Sequence, residues 1–405
     1  LHGVIENRIK TTTEKFMNAY RMSTASLPHD RLERIAVARD AMLFERQALA
    51  PSLVPVWVER SWQRCLQKGL QPQASADFDQ IAPQHARRVM DESHTLLHTA
   101  RPMLAALGAA IANSGYFAIL TNRDGVVVDV SGAIDRSDRR AGLITRIGTD
   151  LSEASIGTTA IGTALSERQP VWLHRGEHFF ANTAVYSCAG APLFGPDGRC
   201  VGMLDLTGID AVERQELKHL VAQVAGKIEN ALVLAQNHAI TVRLNWPGNA
   251  MGSDADGILC IDADGLIVGA NPSARQMVSA LPDDGRSLHV SEVFGAPYQM
   301  LFDAARRSHS LIDVPLWTGL RLQALPVERG QAERTHAHLD PTGSSAPMPF
   351  NTPQAGHEPV GLRDIESALI HQAVERARGN VAQAAQALGI SRATVYRKLG
   401  RRPPH

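Results

Sequence analysis

Apolar positions change period repeatedly along the chain, and each change marks a new unit. Between residues 31 and 68, Leu32, Ile35, Leu43, Leu49, Val54, Val58 and Trp62 recur at helical spacing, interrupted by Pro51 and Pro55. A second helical run from 83 to 113 carries Val89, Leu96, Leu97, Met103, Leu104 and Leu107, with a kink expected at Pro102. The period then shortens. Residues 116–121 and 125–130 are β-rich and meet through Asn122-Arg123-Asp124, a hairpin signal. Residues 170–174, 186–194 and 200–207 read as further strands, the last two joined by Gly195-Pro196-Asp197-Gly198. Between them a Gly/Thr-rich helix start occupies 156–165. An antiparallel sheet flanked by helices is the economical arrangement.

From 211 to 235 the apolar residues Leu217, Val221, Val224, Ile228, Ala231 and Ala235 alternate by four and three. That spacing suits a helix lying on its own sheet and equally a dimer seam. A second α/β unit follows over 250–325, built on a hairpin at 257–268 and closed by strand-like segments at 311–316 and 321–327, with Asn271-Pro272 as a turn entering a helix. Residues 326–361 contain six prolines, four glycines and few large apolar groups, the composition of a flexible linker. The predicted organisation is therefore an uncertain leader (1–26), a helical region (27–112), a sensor-like unit with a terminal helix (113–238), the second unit (250–325), the linker, and a small helical domain (362–405). The fold class is mixed α/β (α+β), multidomain, with an all-α end.

Charge changes the picture only when it is divided. The 405 residues hold 41 Lys and Arg against 41 Asp and Glu. Residues 362–405 alone hold eight bases and three acids, so a tail with five surplus positive charges balances a body with five surplus negative ones. A content of 44% hydrophobic and 20% charged residues excludes a wholly disordered chain. No run approaches the ~18 apolar residues of a membrane span. Four scattered cysteines without a Cys-x-x-Cys pair exclude a disulfide framework or cysteine-rich zinc site. A soluble cytoplasmic protein is expected. Leu1 fits either a fragment or a TTG start codon translated literally.

In the basic tail, one helix runs to about Ala377. A short Ala-rich helix follows at 381–388, Gly389 permits a tight turn, and Ser391 caps a third helix ending near Leu399. Val395 and Leu399 face inward, which leaves Ser391, Arg392, Ala393, Thr394, Tyr396, Arg397 and Lys398 to meet double-stranded DNA. Arg suits guanine edges, Thr or Ala a thymine methyl, and Tyr or Lys the phosphates. The segment from Asn380 through Leu388-Gly389-Ile390-Ser391-Arg392 to Leu399 resembles the Fis-type helix-turn-helix domain that ends bacterial enhancer-binding proteins. That resemblance implies a homodimer on a two-fold operator.

Residues 116–238 resemble a GAF domain, and specifically that of the acetoin-catabolism regulator family of sigma-54-dependent activators. The likeness rests on Gly157–Leu165, Glu177-His178-Phe179, Ser187-Cys188-Ala189-Gly190-Ala191-Pro192 and Gly202-Met203-Leu204-Asp205-Leu206-Thr207-Gly208, with Ser61-Trp62-Gln63-Arg64-Cys65 upstream. Residues 250–325 look like a PAS module. A pocket between sheet and loops would place Trp172, His174, His178, Phe179, Tyr186 and Cys188 around a small organic effector, with no cofactor or metal. His174-Arg175-Gly176-Glu177-His178 matches H-x-x-E-H in letters, but a strand running into a Gly-containing loop cannot hold both His on one helix face, so protease chemistry is rejected. Cys188 and Cys200 suggest two alternatives: a disulfide, or methionine sulfoxide reduction on a GAF scaffold. A further alternative is an architectural DNA-binding dimer with a vestigial sensor.

The family's central AAA+ ATPase, with its G-x-x-x-x-G-K-[ST] loop, has no counterpart here. Gly226-Lys227 is followed by Ile228. The expected mechanism is therefore recruitment of ordinary RNA polymerase, promoter occlusion, or competition with a full-length relative.

Overall fold

The computed structural model describes residues 30–49, 53–307 and 310–329, together with Val381. The tail residues Ser391, Arg392, Ala393, Thr394, Tyr396, Arg397 and Lys398 and the linker beyond 329 lie outside the described residues.

The chain opens with helix α1 (Arg31–Arg39), capped by the Asp30 carboxylate and continued by a π turn at Asp40–Phe44. Pro55 precedes α2 (Val56–Gln67). The expected helical run from 83 is two helices, α3 (Pro83–Glu92) and α4 (His94–Ala110), divided at Ser93, with Pro102 inside the second. Then come strands β1 (Tyr116–Asn122) and β2 (Val127–Gly132), and the short helices α5 (Arg139–Ile144) and α6 (Glu153–Ile156). Next are α7 (Ala160–Glu167), β3 (Val171–His174), β4 (Tyr186–Phe194), β5 (Cys200–Ile209) and α8 (Leu217–Leu234). The sheet is antiparallel throughout, in the order β2-β1-β5-β4-β3.

Side chains alternate across this sheet, and each face has its own cover. Phe117, Ile119, Leu173, Cys188 and Met203 pack with α1, α2 and α7, whereas Tyr116, Ala118, Leu120, Trp172, Leu204 and Leu206 pack with α3, α4 and α8. A sheet covered on both faces needs apolar residues at successive positions, which is why its strands show little alternation in the sequence. The turn after β1 closes as expected: the Asn122 side-chain oxygen accepts from the backbone N–H of Asp124 and Val126.

The second sheet joins β6 (Ile240–Asn245), β7 (Gly257–Ile261), β8 (Ile267–Ala270), β9 (Ile312–Pro315) and β10 (Arg321–Glu328) in the order β8-β7-β6-β10-β9. Helices α9 (Pro272–Met277), α10 (Val290–Val293) and α11 (Gln299–Arg306) cover it. The unit is longer than the expected 250–325. β6 lies in what read as a connector, and Pro326, expected to open the linker, is paired with Val242 inside β10. The proline is tolerated because β9 pairs only with 321–324, which leaves one side of β10 open at Pro326.

Helix α8 is buried on more than one side. Leu217, Val221, Ala225, Ile228 and Leu232 join the first sheet's core, while Val233 packs with Ile258 and Cys260 of β7. Of the supposed seam, only Leu217, Val221 and Ile228 are fully buried, all within the chain's own core, and Ala235 is exposed. Among the described residues no helix is long and apolar enough to cross a membrane.

Candidate functional site

Between the first sheet and the segments bearing α5, α6 and α7 lies a cavity of about 30 Å³, room for roughly two waters. Ile119, Ile144, Leu151, Ile156 and Ile161 form its apolar wall, and His178, Tyr186, Cys188, Asp205 and Thr207 its polar side. The floor residues come from adjacent antiparallel strands, with Cys188 opposite Thr207 and Asp205 opposite Ile119.

Three of the six expected pocket residues, His178, Tyr186 and Cys188, line this cavity, and three do not. Trp172 and His174 share the opposite face of β3, because Val171 and Leu173 take the cavity-side core. Trp172 donates to Glu213 at 3.3 Å and stacks with His174, whose Nδ1 lies 2.7 Å from the Ser187 hydroxyl. Phe179 is fully buried core, edge-on to Phe180 and beside Gly157. The sequence hid this correction because both faces of β3 carry large apolar or aromatic groups.

The polar side is a chain of hydrogen bonds. His178 Nδ1 lies 2.9 Å from the Arg175 carbonyl, so this nitrogen carries the proton and Nε2 is left as an acceptor, 3.7 Å from Cys188 Sγ. Burial holds the imidazole down to about 4, so it is neutral near pH 7. Cys188 Sγ is 3.3 Å from Thr207 Oγ1, and the Thr207 hydroxyl donates to Asp205 Oδ2. Asp205 is completely buried, and burial pushes its carboxyl from 3.8 up to about 7, against the opposing Thr207 hydrogen bond. Sequence reasoning passed over Asp205 as part of a motif; the available signal was a lone acid in the middle of an otherwise apolar strand.

This arrangement does not activate a thiol. Burial raises the Cys188 thiol well above 9, and the nearby Asp205 carboxylate raises it further. Cys200 is no partner for it: Cys188 pairs with Thr207, seven residues along β5 from Cys200, or roughly 23 Å at ~3.3 Å per residue. All four cysteines are free. Glu177 of the H-x-x-E-H letters is buried in an ion pair with Arg31, and among the described residues no group of three or more His, Cys, Asp or Glu is placed to hold a metal.

The cavity's roof is held from outside by the N-terminal helices. Arg39 of α1 donates to the carbonyls of Gly176, His178 and Phe179. Trp62 of α2 donates to the Glu177 carbonyl at 2.9 Å, and Ser61 reaches Glu153 at 2.7 Å and Thr158 at 2.8 Å. Arg64 binds Glu153 and Glu167. Of the Ser61-Trp62-Gln63-Arg64-Cys65 stretch, only Gln63 turns away, to Glu59.

A mixed α/β body carrying such a cavity, followed by a basic segment that matches the Fis family of bacterial regulatory proteins over residues 361–401, has the parts of a transcriptional regulator. Residues 34–230 match the N-terminal domain of MimR, and the chain's homologues are transcriptional activators of the AcoR and MimR type. It is 32% identical over 256 residues to the acetoin catabolism regulatory protein of Cupriavidus necator, covering 61% of this chain and 37% of that protein. It is 28% identical over 249 residues to the propane 2-monooxygenase operon transcriptional activator MimR of Mycolicibacterium smegmatis, covering 61% and 41%. It is 27% identical over 242 residues to the acetoin dehydrogenase operon transcriptional activator AcoR of Bacillus subtilis, covering 57% and 38%. The alignments thus span about two fifths of these relatives' length. Among solved structures, the E. coli DhaR(N)–DhaL complex aligns with 68% of this chain and 99% of that one, at 16% identity and a TM-score of 0.41. All three of these relatives are named as transcriptional regulators or activators.

Proposed function

We propose that this chain is a sequence-specific DNA-binding regulator that senses a small organic effector in the cavity of its first sheet. The carrying observation is a cavity with an apolar wall and a polar side, roofed by the helices within the MimR-like segment, on one chain with a Fis-family segment. The PAS-like unit, whose sheet runs from β6 to β10 over 240–328, and the Pro/Gly-rich stretch after it lie between sensor and reader. It works in the cytoplasm as a homodimer on a two-fold operator.

Control runs through the pairing and effective concentration of two DNA-reading heads, because a Pro/Gly-rich linker is a poor lever. With no phosphate-cradling loop in the sequence, the output is recruitment of ordinary RNA polymerase, occlusion or competition, without ATP-driven opening of the sigma-54 complex. The test is to select an operator from random DNA with the full chain, then measure affinity and oligomeric state against a broad screen of small alcohols, ketones and aldehydes. A compound that shifts either supports the scheme; a screen in which none binds and none shifts either overturns it.

A further inference from the structure

The turn between β4 and β5 leaves the first sheet and enters the second unit. The Pro196 carbonyl accepts from the Ala270 N–H at the end of β8, 3.0 Å away, and from Arg275 Nη2 of α9 at 2.7 Å. Arg275 Nη1 also donates to the Pro282 carbonyl, and Arg199 returns the contact by donating to the Asp284 carbonyl. Each guanidinium lies against a glycine of the other unit held at positive φ: a Cβ on Gly198 would sit 2.9 Å from Arg275 Cζ, and one on Gly285 3.0 Å from Arg199 Cζ. The grip is therefore reciprocal, with an arginine and a glycine supplied by each side.

Elements that line the first sheet's cavity hold the same turn. Helix α7, whose Ala160 and Ile161 line the cavity, is closed by Arg168, and the Arg168 guanidinium donates to the Gly198 carbonyl at 3.3 Å and lies over the Phe194 ring. β4, which carries Tyr186 and Cys188 of the cavity, runs directly into the turn, and its pairing with β5 shifts register at Leu193/Phe194. There the Phe194 N–H donates to Glu229 of α8 at 2.9 Å. A register shift at the root of a turn re-aims the chain that follows. The docked arrangement is also incompletely compensated: the Arg275 side chain is 13% exposed, its Nε has no hydrogen-bond partner, and the Asp283 carboxylate beside it lies 4.0 Å off and is mostly exposed. A buried cation held mainly by carbonyls bears its desolvation without a close counterion, so docking is opposed as well as favoured. A contact balanced in this way can be opened by a small shift elsewhere.

We propose that the β4–β5 turn is a latch that passes the state of the cavity wall to the second sheet. α7 and β4 set its position, through Arg168 and the register shift, and Arg275 and Arg199 fix that position against the second unit. The purpose of the latch rests on the sensor reading, whereas the coupling itself is measured without a ligand.

The test is hydrogen exchange on the full chain, over a double-mutant cycle of Ile161→Ala in the cavity wall and Arg275→Met in the latch. The reporters are the hydrogen-bonded amides of Ala270, Arg275 and Val278, read relative to Val242 and Leu244 of β6, whose exchange follows opening of the whole sheet. Ile161→Ala alone is expected to speed the reporters by about tenfold or more, although Ile161 belongs to the first sheet's core. Arg275→Met alone speeds the same amides, and in its presence Ile161→Ala adds less than about twofold. Reporters unmoved by Ile161→Ala, or moved by it equally with and without Arg275, overturn the latch. Should Ile161→Ala not fold, Arg168→Met, which alters a half-buried side chain, takes its place under the same two criteria. A failed exchange test removes the latch and leaves the sensor reading standing; an effector screen with no binder removes the sensor reading and leaves the measured coupling standing.

Discussion

Both carboxylate oxygens of Glu177 lie 2.8 Å from Nη2 of Arg31, across 146 residues of chain. Nη1 of the same guanidinium reaches Glu213 at 2.6 Å. The pair ties α1 to the turn immediately before His178. Glu177 is nearly inaccessible, and burial outweighs the attraction of Arg31, pushing its carboxyl up to about 7.

Arg31→Ala is expected to destabilise the chain by about 2–4 kcal/mol, because it strands a buried acid. The loss is larger at pH 8 than at pH 6, where Glu177 can take up a proton. Adding Glu177→Gln recovers part of it. Urea unfolding of the four variants at both pH values checks this; a pH-independent loss with no recovery would remove the pair from the account.

Stability should respond to pH through opposed groups. The Asp205 carboxyl is raised in the fold from 3.8 to about 7, so its contribution is complete below about 4, declines as pH rises, and is gone above about 7. His178 acts in the reverse sense: held near 4 instead of 6.5, it contributes above 6.5 and loses that contribution as pH falls to 4. Between pH 6.5 and 7.5 the Asp205 carboxyl acts in the same sense as Glu177 and Glu229, which burial raises to about 7 and about 8, and together they outweigh His178. Asp205→Asn is therefore expected to flatten the fall in Tm over that window, as read by calorimetry, and an unchanged slope would contradict the burial argument.

Gly157 holds φ at +66° and ψ at −154°, a region essentially restricted to glycine. A Cβ there would sit 2.8 Å from Phe179 Cβ and 3.1 Å from Phe180 Cε2. Gly157→Ala should cost about 2–4 kcal/mol from strain and overpacking together. Thermal melts of the variant decide it, a Tm within a degree of wild type being the contrary result.

Asn271 uses all four of its side-chain bonds. Its oxygen accepts from the N–H groups of Ile258 and Ala274, and its amide donates to the Asp256 carbonyl and to Asn230 of α8. Asn271→Ala leaves buried partners unpaired and is expected to cost about 2–4 kcal/mol. Hydrogen exchange should show the loss at β7 and at the end of α8 together; protection lost at β7 alone would separate the two.

Arg392→Ala or Arg397→Ala is expected to weaken specific DNA binding by about 1–3 kcal/mol if a base contact is removed, and binding by the wild type to fall steeply with salt. Footprinting over a salt series measures both, and undiminished footprints would reject those contacts.

Much of the body was legible because its strands are punctuated by turns: Asn122-Arg123-Asp124 and Gly195-Pro196-Asp197-Gly198 stand where β1–β2 and β4–β5 reverse. β6 was not, since Ile240 follows directly on a long helix without a Pro/Gly boundary. The cavity was legible only in part. Alternation names its faces where one is polar, as on a half-exposed sheet, but Trp172 and Leu173 are equally apolar and only the packed helices decide which looks inward. Asp205 could be noticed in sequence, yet its unpaired oxygen, Oδ1, is a property of its neighbours.

Helix α8 carries a practical consequence. Its one side completes the core beneath β4 and β5 and its far end completes the packing against β7, so neither sheet has a finished interior without it. A cut at 238, which would look like a natural place to separate two modules, deprives the second sheet of Val233 and of the Asn230 amide partner. Fragments made for dissection should therefore keep 30–329 whole.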